Sequence, residues 1–187
     1  MNRRFLLLAS IATLPASRVL AQATSQPAPA PSASTDARQR HIRDTTAYGS
    51  LSLLLSRMAK SKVTHPLLKQ FVDFEIAEQE TVGGILKAIQ TNAAPSGETP
   101  SPSDADLMQN LDDPGKASVE KLSALKAGSE FDRDYIRYEI EGHRKLLEIQ
   151  EVYLKSPDKL DETNVAKLAR GMIKEHLALL AEIDKAA

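Results

Sequence analysis

The chain has no cysteine and no tryptophan. The first absence excludes disulfides, thiol catalysis, thiolate metal sites and an acylated lipoprotein cysteine. Aromatic residues are only 4% of the sequence, and no stretch alternates apolar with polar residues, so no sheet is expected. No block of like charge stands out. The 24 basic residues stand against 25 acidic ones, which argues against a nucleic-acid surface and a polybasic membrane patch. No apolar run is long enough to cross a bilayer as a helix. There is no Ser/His/Asp spacing and no His-Glu-x-x-His motif. Gly83-Gly84 lacks the Lys-Ser/Thr that a phosphate loop requires. No signature of catalysis is present.

What the chain has is a helix-forming composition, rich in Ala, Leu, Glu and Lys. Its N-terminus reads Met1-Asn2-Arg3-Arg4, then an apolar run from Phe5 to Leu14, then small-residue exits at Val19-Leu20-Ala21 or Ala21-Gln22-Ala23. That pattern predicts a secretory signal peptide over residues 1–21 with cleavage near 21–23. Arg3-Arg4-Phe5-Leu6-Leu7 loosely resembles a twin-arginine signal, but two basic residues before an apolar run are common and favour the Sec route. Residues 22–36 are mostly Gln, Ala, Thr, Ser and Pro, the composition of a flexible linker. Residues 37–187 form the domain. Removing Arg3, Arg4 and Arg18 leaves 21 basic against 25 acidic residues, a net charge of −4. The expected product is a periplasmic protein without stable membrane insertion after signal cleavage.

Apolar residues recur at helical spacing in four long segments. The first helix is expected from about Ala37 to Lys60, with Tyr48, Leu51, Leu55 and Met58 on one face. Thr64 caps the second, Pro66 sits in its first turn, and the helix runs to about Gln90 through Leu68, Val72, Val82, Leu86 and Ile89. Gly83-Gly84 is expected to mark a bend or a close approach. A loop from Thr91 to Pro102 leads to a short helix from Asp113-Pro114 to about Lys126. Ser129 and Asp132 read as a capping box for the fourth helix, which carries Ile136, Ile140, His143, Leu147 and Leu154. Tyr135 and Tyr138 are expected to pack with wet hydroxyls. After Ser156-Pro157, Asp161 or Thr163 caps the last helix, with the stripe Val165, Ala169, Met172, His176, Leu179 and Ile183. The architecture predicted is all-α: a ferritin-like four-helix bundle of two hairpins, with an extra short helix in the long connection between them.

Four polar residues interrupt these stripes: His143, His176, and Glu75 and Gln79 in the second helix. Counted from the turn joining the last two helices, His143 and His176 differ in height by only ~3 Å at 1.5 Å per residue. Gln79 falls near the same level. Two imidazoles, an amide and a carboxylate then share one buried layer. One reading is a hydrogen-bonded layer that satisfies itself and fixes helix register. The other is a site for a small ligand or a single transition-metal ion, with His143 and His176 as ligands and Glu75, Gln79 and Glu139 as weaker candidates. A di-iron centre built on Glu-x-x-His pairs is not expected, because neither histidine has an acid three residues before it. The first helix offers Ser52 or Ser56 at mid-height. His41 and His65, near helix starts, read as surface residues.

With these residues in hand, the chain resembles an exported bacterial family known as domain of unknown function 4142. The resemblance covers about Gln39 to Ile183. It rests on Phe131-Asp132-Arg133-Asp134-Tyr135 followed by His143, on Glu175-His176-Leu177, and on Phe71-Val72 opening an acidic stretch. It implies a ferritin-like fold. Where that family usually has Asp-His in the second helix this chain has Glu78-Gln79, and where it often has Glu in the first helix this chain has Ser52. What carries over is therefore His143 and His176. The first functional expectation is a non-enzymatic periplasmic protein that binds a protein partner, or a small ligand or metal, or serves in envelope stress. The alternatives are a ferritin-like metal-binding or redox protein using the histidine layer, and a structural homo-oligomer.

Overall fold

The computed structural model describes residues 33–99 and 101–186. The expected signal peptide and most of the expected linker lie outside them. The elements in order are α1 (Ala33–Ala59), α2 (Pro66–Thr91), α3 (Asp104–Gln109), α4 (Asp113–Ala124), α5 (Ser129–Tyr153) and α6 (Leu160–Ala186). Among the described residues there is no strand. α1 starts at Ala33, within the segment read as linker.

Cross-helix contacts fix the direction of each long helix. Arg38, early in α1, pairs with Glu162, early in α6, while Ser56, late in α1, bonds Tyr135, early in α5. Ile42 of α1 packs with Leu86, late in α2. So α1 and α6 run one way, α2 and α5 the other, and packed neighbours are antiparallel. The chain must return the length of the bundle between α2 and α5. α3 and α4 make that return across α1, giving the ferritin-like crossover.

The buried faces follow a repeat of 4-3 steps. In α5 they are Asp132, Ile136, Glu139, His143, Leu146, Gln150 and Tyr153; in α6, Glu162, Ala166, Ala169, Ile173, His176, Leu180 and Ile183. A 3.5-residue repeat keeps one face toward its neighbours along the whole helix. Two expected stripes are corrected by one position. In α6 the structure buries Ile173 and Leu180 more deeply than Met172 and Leu179, and Leu179 is exposed. Both series pass through Ala169, His176 and Ile183, so only packing decides between their flanks. In α5, Ile140, Leu147 and Leu154 are half-buried on the flank of the seam.

The helix starts also differ from expectation. Thr64 does not cap α2; the N-cap is His65, with no side-chain cap of its own. Asp132, reaching across from α5, accepts the backbone N–H groups of Thr64 and His65 at 3.0 Å and the Thr64 hydroxyl at 2.6 Å. Asp132 is thus the cap of α2, not the far half of a capping box. Gly128, not Ser129, is the N-cap of α5, at φ 141, which a side chain rarely adopts. Thr163 lies inside α6 and donates to the Lys159 carbonyl at 2.5 Å. α2 runs unbroken through Gly83-Gly84, and a Cβ on Gly83 would meet nothing within 4 Å. The close approach is at Gly49, where a Cβ would lie 2.7 Å from Gln79 Oε1. The six-residue α3 was not expected, being too short to show periodicity. Ser103 caps it, and Leu107 and Leu111 cover Leu53 and Leu54 of α1.

Candidate metal centre in the bundle core

The seams carry polar residues at matching heights, so a column of buried polar groups runs along the bundle. At its centre stand Glu75 of α2, His143 of α5 and His176 of α6, at 0%, 0% and 8% exposure. Three atoms face one another. Glu75 Oε2 lies 3.3 Å from His143 Nε2 and 2.9 Å from His176 Nδ1, and the two nitrogens are 3.0 Å apart. Ligands bound at about 2.0–2.2 Å to one tetrahedral ion stand roughly 3.3–3.6 Å from each other, so this triangle has nearly the size of a coordination face.

The outer partners of the imidazoles point the inner nitrogens at that triangle. His143 Nδ1 is 2.8 Å from the Glu139 carbonyl, to which it donates, leaving Nε2 to face inward. His176 Nε2 is 2.9 Å from Glu78 Oε2, leaving Nδ1 to face inward. Glu75 Oε2 is buried and has no aligned hydrogen-bond donor, although both nitrogens are near. A carboxylate oxygen and two ring nitrogens meeting this closely need a positive charge among them, a proton or a metal ion. With a proton there, the groups hold one another charged. Burial disfavours the His143 cation, but the Glu75 carboxylate outweighs it and raises the imidazole to about 9. Burial likewise opposes the Glu75 anion, yet the His143 charge and the closeness of both imidazoles hold that carboxyl well below its usual range.

The remaining oxygen of Glu75 is fixed by its neighbours. Ser52 lies 2.5 Å and the Gln79 amide 2.8 Å from Oε1, and both donate to it. Ser52 also stands 2.7 Å from Glu139 Oε2. Burial, reinforced by the Glu75 charge, pushes the Glu139 carboxyl up to about 8. Phe71 closes the site on one side, its ring 5.1 Å from that of His176 and 6.1 Å from that of His143. On the other side a cavity of about 20 Å³ adjoins both imidazoles.

The residues singled out in the sequence take different places here. Glu75, His143 and His176 converge. Gln79 contacts Glu75 and lines the cavity. Glu139 stands behind His143, its Oε2 being 3.4 Å from Nδ1, the nitrogen that faces away from the triangle. Ser56 bonds the buried Tyr135 hydroxyl at 2.7 Å, so that hydroxyl is not wet. Burial, and next the Glu139 charge, keep this phenol neutral well above its usual range. His41 is not a surface residue: it is 3% exposed, stacks on Tyr153 at 4.2 Å and meets Gln150 Oε1 at 2.7 Å. His65 is half-buried at the start of α2. Sequence reasoning gave Glu78 no role, because its side chain leaves the apolar stripe. The signal available was its place two turns from Phe71, on the edge of the face that holds Glu75.

Comparison with solved structures shows the same fold. The crystal structure of a DUF305 fragment from Deinococcus radiodurans superposes with a TM-score of 0.65 at 15% identity, covering 82% of this chain and 99% of that one. A putative secreted DUF305 protein from Streptomyces coelicolor gives a TM-score of 0.61 at 15% identity, covering 79% and 91%. No curated protein matches the sequence. A family model does, over residues 22–183, nearly the whole of the expected mature chain. The chain belongs to the family described as Domain of unknown function (DUF4142).

Proposed function

We propose that this protein is an exported, periplasmic metal-binding bundle that holds one transition-metal ion between Glu75, His143 and His176. One observation carries the reading: three ligand atoms from three helices converge in the core, with the Glu139 carbonyl bonded behind His143, Ser52 and Gln79 bonded to the outer oxygen of Glu75, and the Glu78 carboxylate 2.9 Å from the outer nitrogen of His176. Two imidazoles and one carboxylate suit a borderline transition ion better than calcium or magnesium, which prefer oxygen ligands alone. The convergence favours this role over the partner-binding role that the sequence put first. Export rests on the signal-peptide pattern of residues 1–21.

The test is elemental analysis of mature protein purified without tags or chelators, beside the His143→Ala, His176→Ala double variant. Near-stoichiometric metal in the parent and none in the variant is the expected result. Chelation should then lower the melting temperature of the parent alone. No metal in either protein, with a variant that is merely less stable, would make the layer structural.

A further inference from the structure

We infer that the bound ion keeps a coordination position open to a small exchangeable ligand from solvent, and that this position faces the cavity beside His143 and His176. The inference rests on the metal reading above and deepens it. It follows from an account of donors. Glu75, His143 and His176 form the only group of three acidic or imidazole ligands found among the described residues. The other polar side chains of the layer are engaged elsewhere. Glu139 lies at the outer nitrogen of His143, Glu78 at the outer nitrogen of His176, and the Gln79 amide donates to Glu75. Ions of this class take at least four ligands. Three from the protein leave the set incomplete.

Space for the missing ligand exists in one direction. Phe71 packs against both imidazoles on one side. On the other, the cavity of about 20 Å³ is bounded by the two histidines, Thr45, Gln150, Ala169 and Met172. That volume admits about one water-sized molecule. Glu78 and Gln79 also line it and offer it polar atoms, Thr45 and Gln150 are bonded to each other, and Ala169 keeps the wall short. An open set of two imidazoles and one carboxylate is the arrangement with which metalloproteins admit a small exogenous molecule to the ion. The occupant is thus water or a small anion, not a drug-sized ligand.

Cobalt(II) and azide test this on the full mature chain. Cobalt binding is measured by equilibrium dialysis, and the ligand-field spectrum is then followed during azide titration. A saturable spectral shift with cobalt retained is the expected result. Ala169→Leu, which fills the cavity from α6, should keep cobalt and lose the azide response; Thr45→Leu fills it from α1 if the first variant does not fold. Cobalt bound with no spectral response in the parent would overturn the open position and leave the metal site standing, with Met172 the first residue to examine as a fourth ligand. An azide response unchanged in a folded cavity-filling variant would also overturn it. Failure of the parent to bind cobalt would remove the metal reading and this inference together.

Discussion

Ser52 has one hydroxyl hydrogen and two carboxyl groups within bonding distance, at 2.5 Å and 2.7 Å. Only one contact can use that hydrogen, so the other must use a proton on an acid. Glu139 holds it, since burial and the neighbouring Glu75 charge raise its carboxyl to about 8. Neutral Glu139 donates to Ser52, and Ser52 donates to Glu75. Glu139 is then a supporting group and not a ligand, although the sequence offered it as a weaker candidate. A neutral amide should serve nearly as well. Glu139→Gln is expected to retain the metal and to change stability by no more than ~1 kcal/mol, read by urea denaturation and elemental analysis. Loss of metal from a folded Glu139→Gln protein would place Glu139 in the coordination shell instead.

Each helix contributes through an end or a seam that another helix completes. α2 begins with Pro66, which needs no hydrogen bond at that position, and the N–H of its N-cap His65 and that of the preceding Thr64 are held by Asp132 from α5. The crossover is held to the bundle by Arg57 of α1, which bonds the Pro102 carbonyl at 2.8 Å, Asp104 at 2.6 Å and Glu80 of α2 at 2.7 Å. Asp132→Ala removes three bonds from a buried acceptor. It should cost ~2 kcal/mol or more and speed amide exchange at Thr64 and His65. Ser129→Ala, at a position that caps nothing, should stay within ~0.5 kcal/mol. Equal effects of the two substitutions would contradict the cross-helix cap.

At the scale of the molecule, a buried cluster that binds extra protons makes stability depend on pH. Glu139 rises from 4.5 to about 8 on folding and His143 from 6.5 to about 9. Both raised groups contribute stability that is fully present below the unfolded values and is lost as pH climbs through the folded ones. Glu75 is lowered, so its contribution is present above its unfolded value and is lost as pH falls below it. Metal-free protein should therefore melt at its highest temperature in mildly acidic solution and become steadily less stable toward pH 9. A flat or rising melting temperature over that range would contradict the protonation pattern. Metal acts in the opposite sense. It must displace the His143 proton, so affinity should rise across the same interval, and saturating metal should flatten the alkaline loss.

The sequence by itself determined the bundle. Its apolar spacing, its breaks at Ser156-Pro157 and before Pro66, and its long Pro- and Ser-rich connection were enough for four long helices and a crossover. The level of His143 and His176 was also legible, because rise per residue is constant along a helix. Tertiary structure decided what each polar residue does at that level. Periodicity locates a face only to within about one residue, roughly 100° around the helix, so Leu179 and Leu180 looked equivalent until α6 met its neighbours. Nothing local marks Asp132 as the cap of another helix, or His41 as buried, since both roles depend on residues more than 60 positions away. The choice of Glu75 over Gln79 and Glu139, and the nitrogen that each histidine turns inward, were set where α2, α5 and α6 came together. A side chain's direction depends on the groups packed behind it, and those arrive only with the fold.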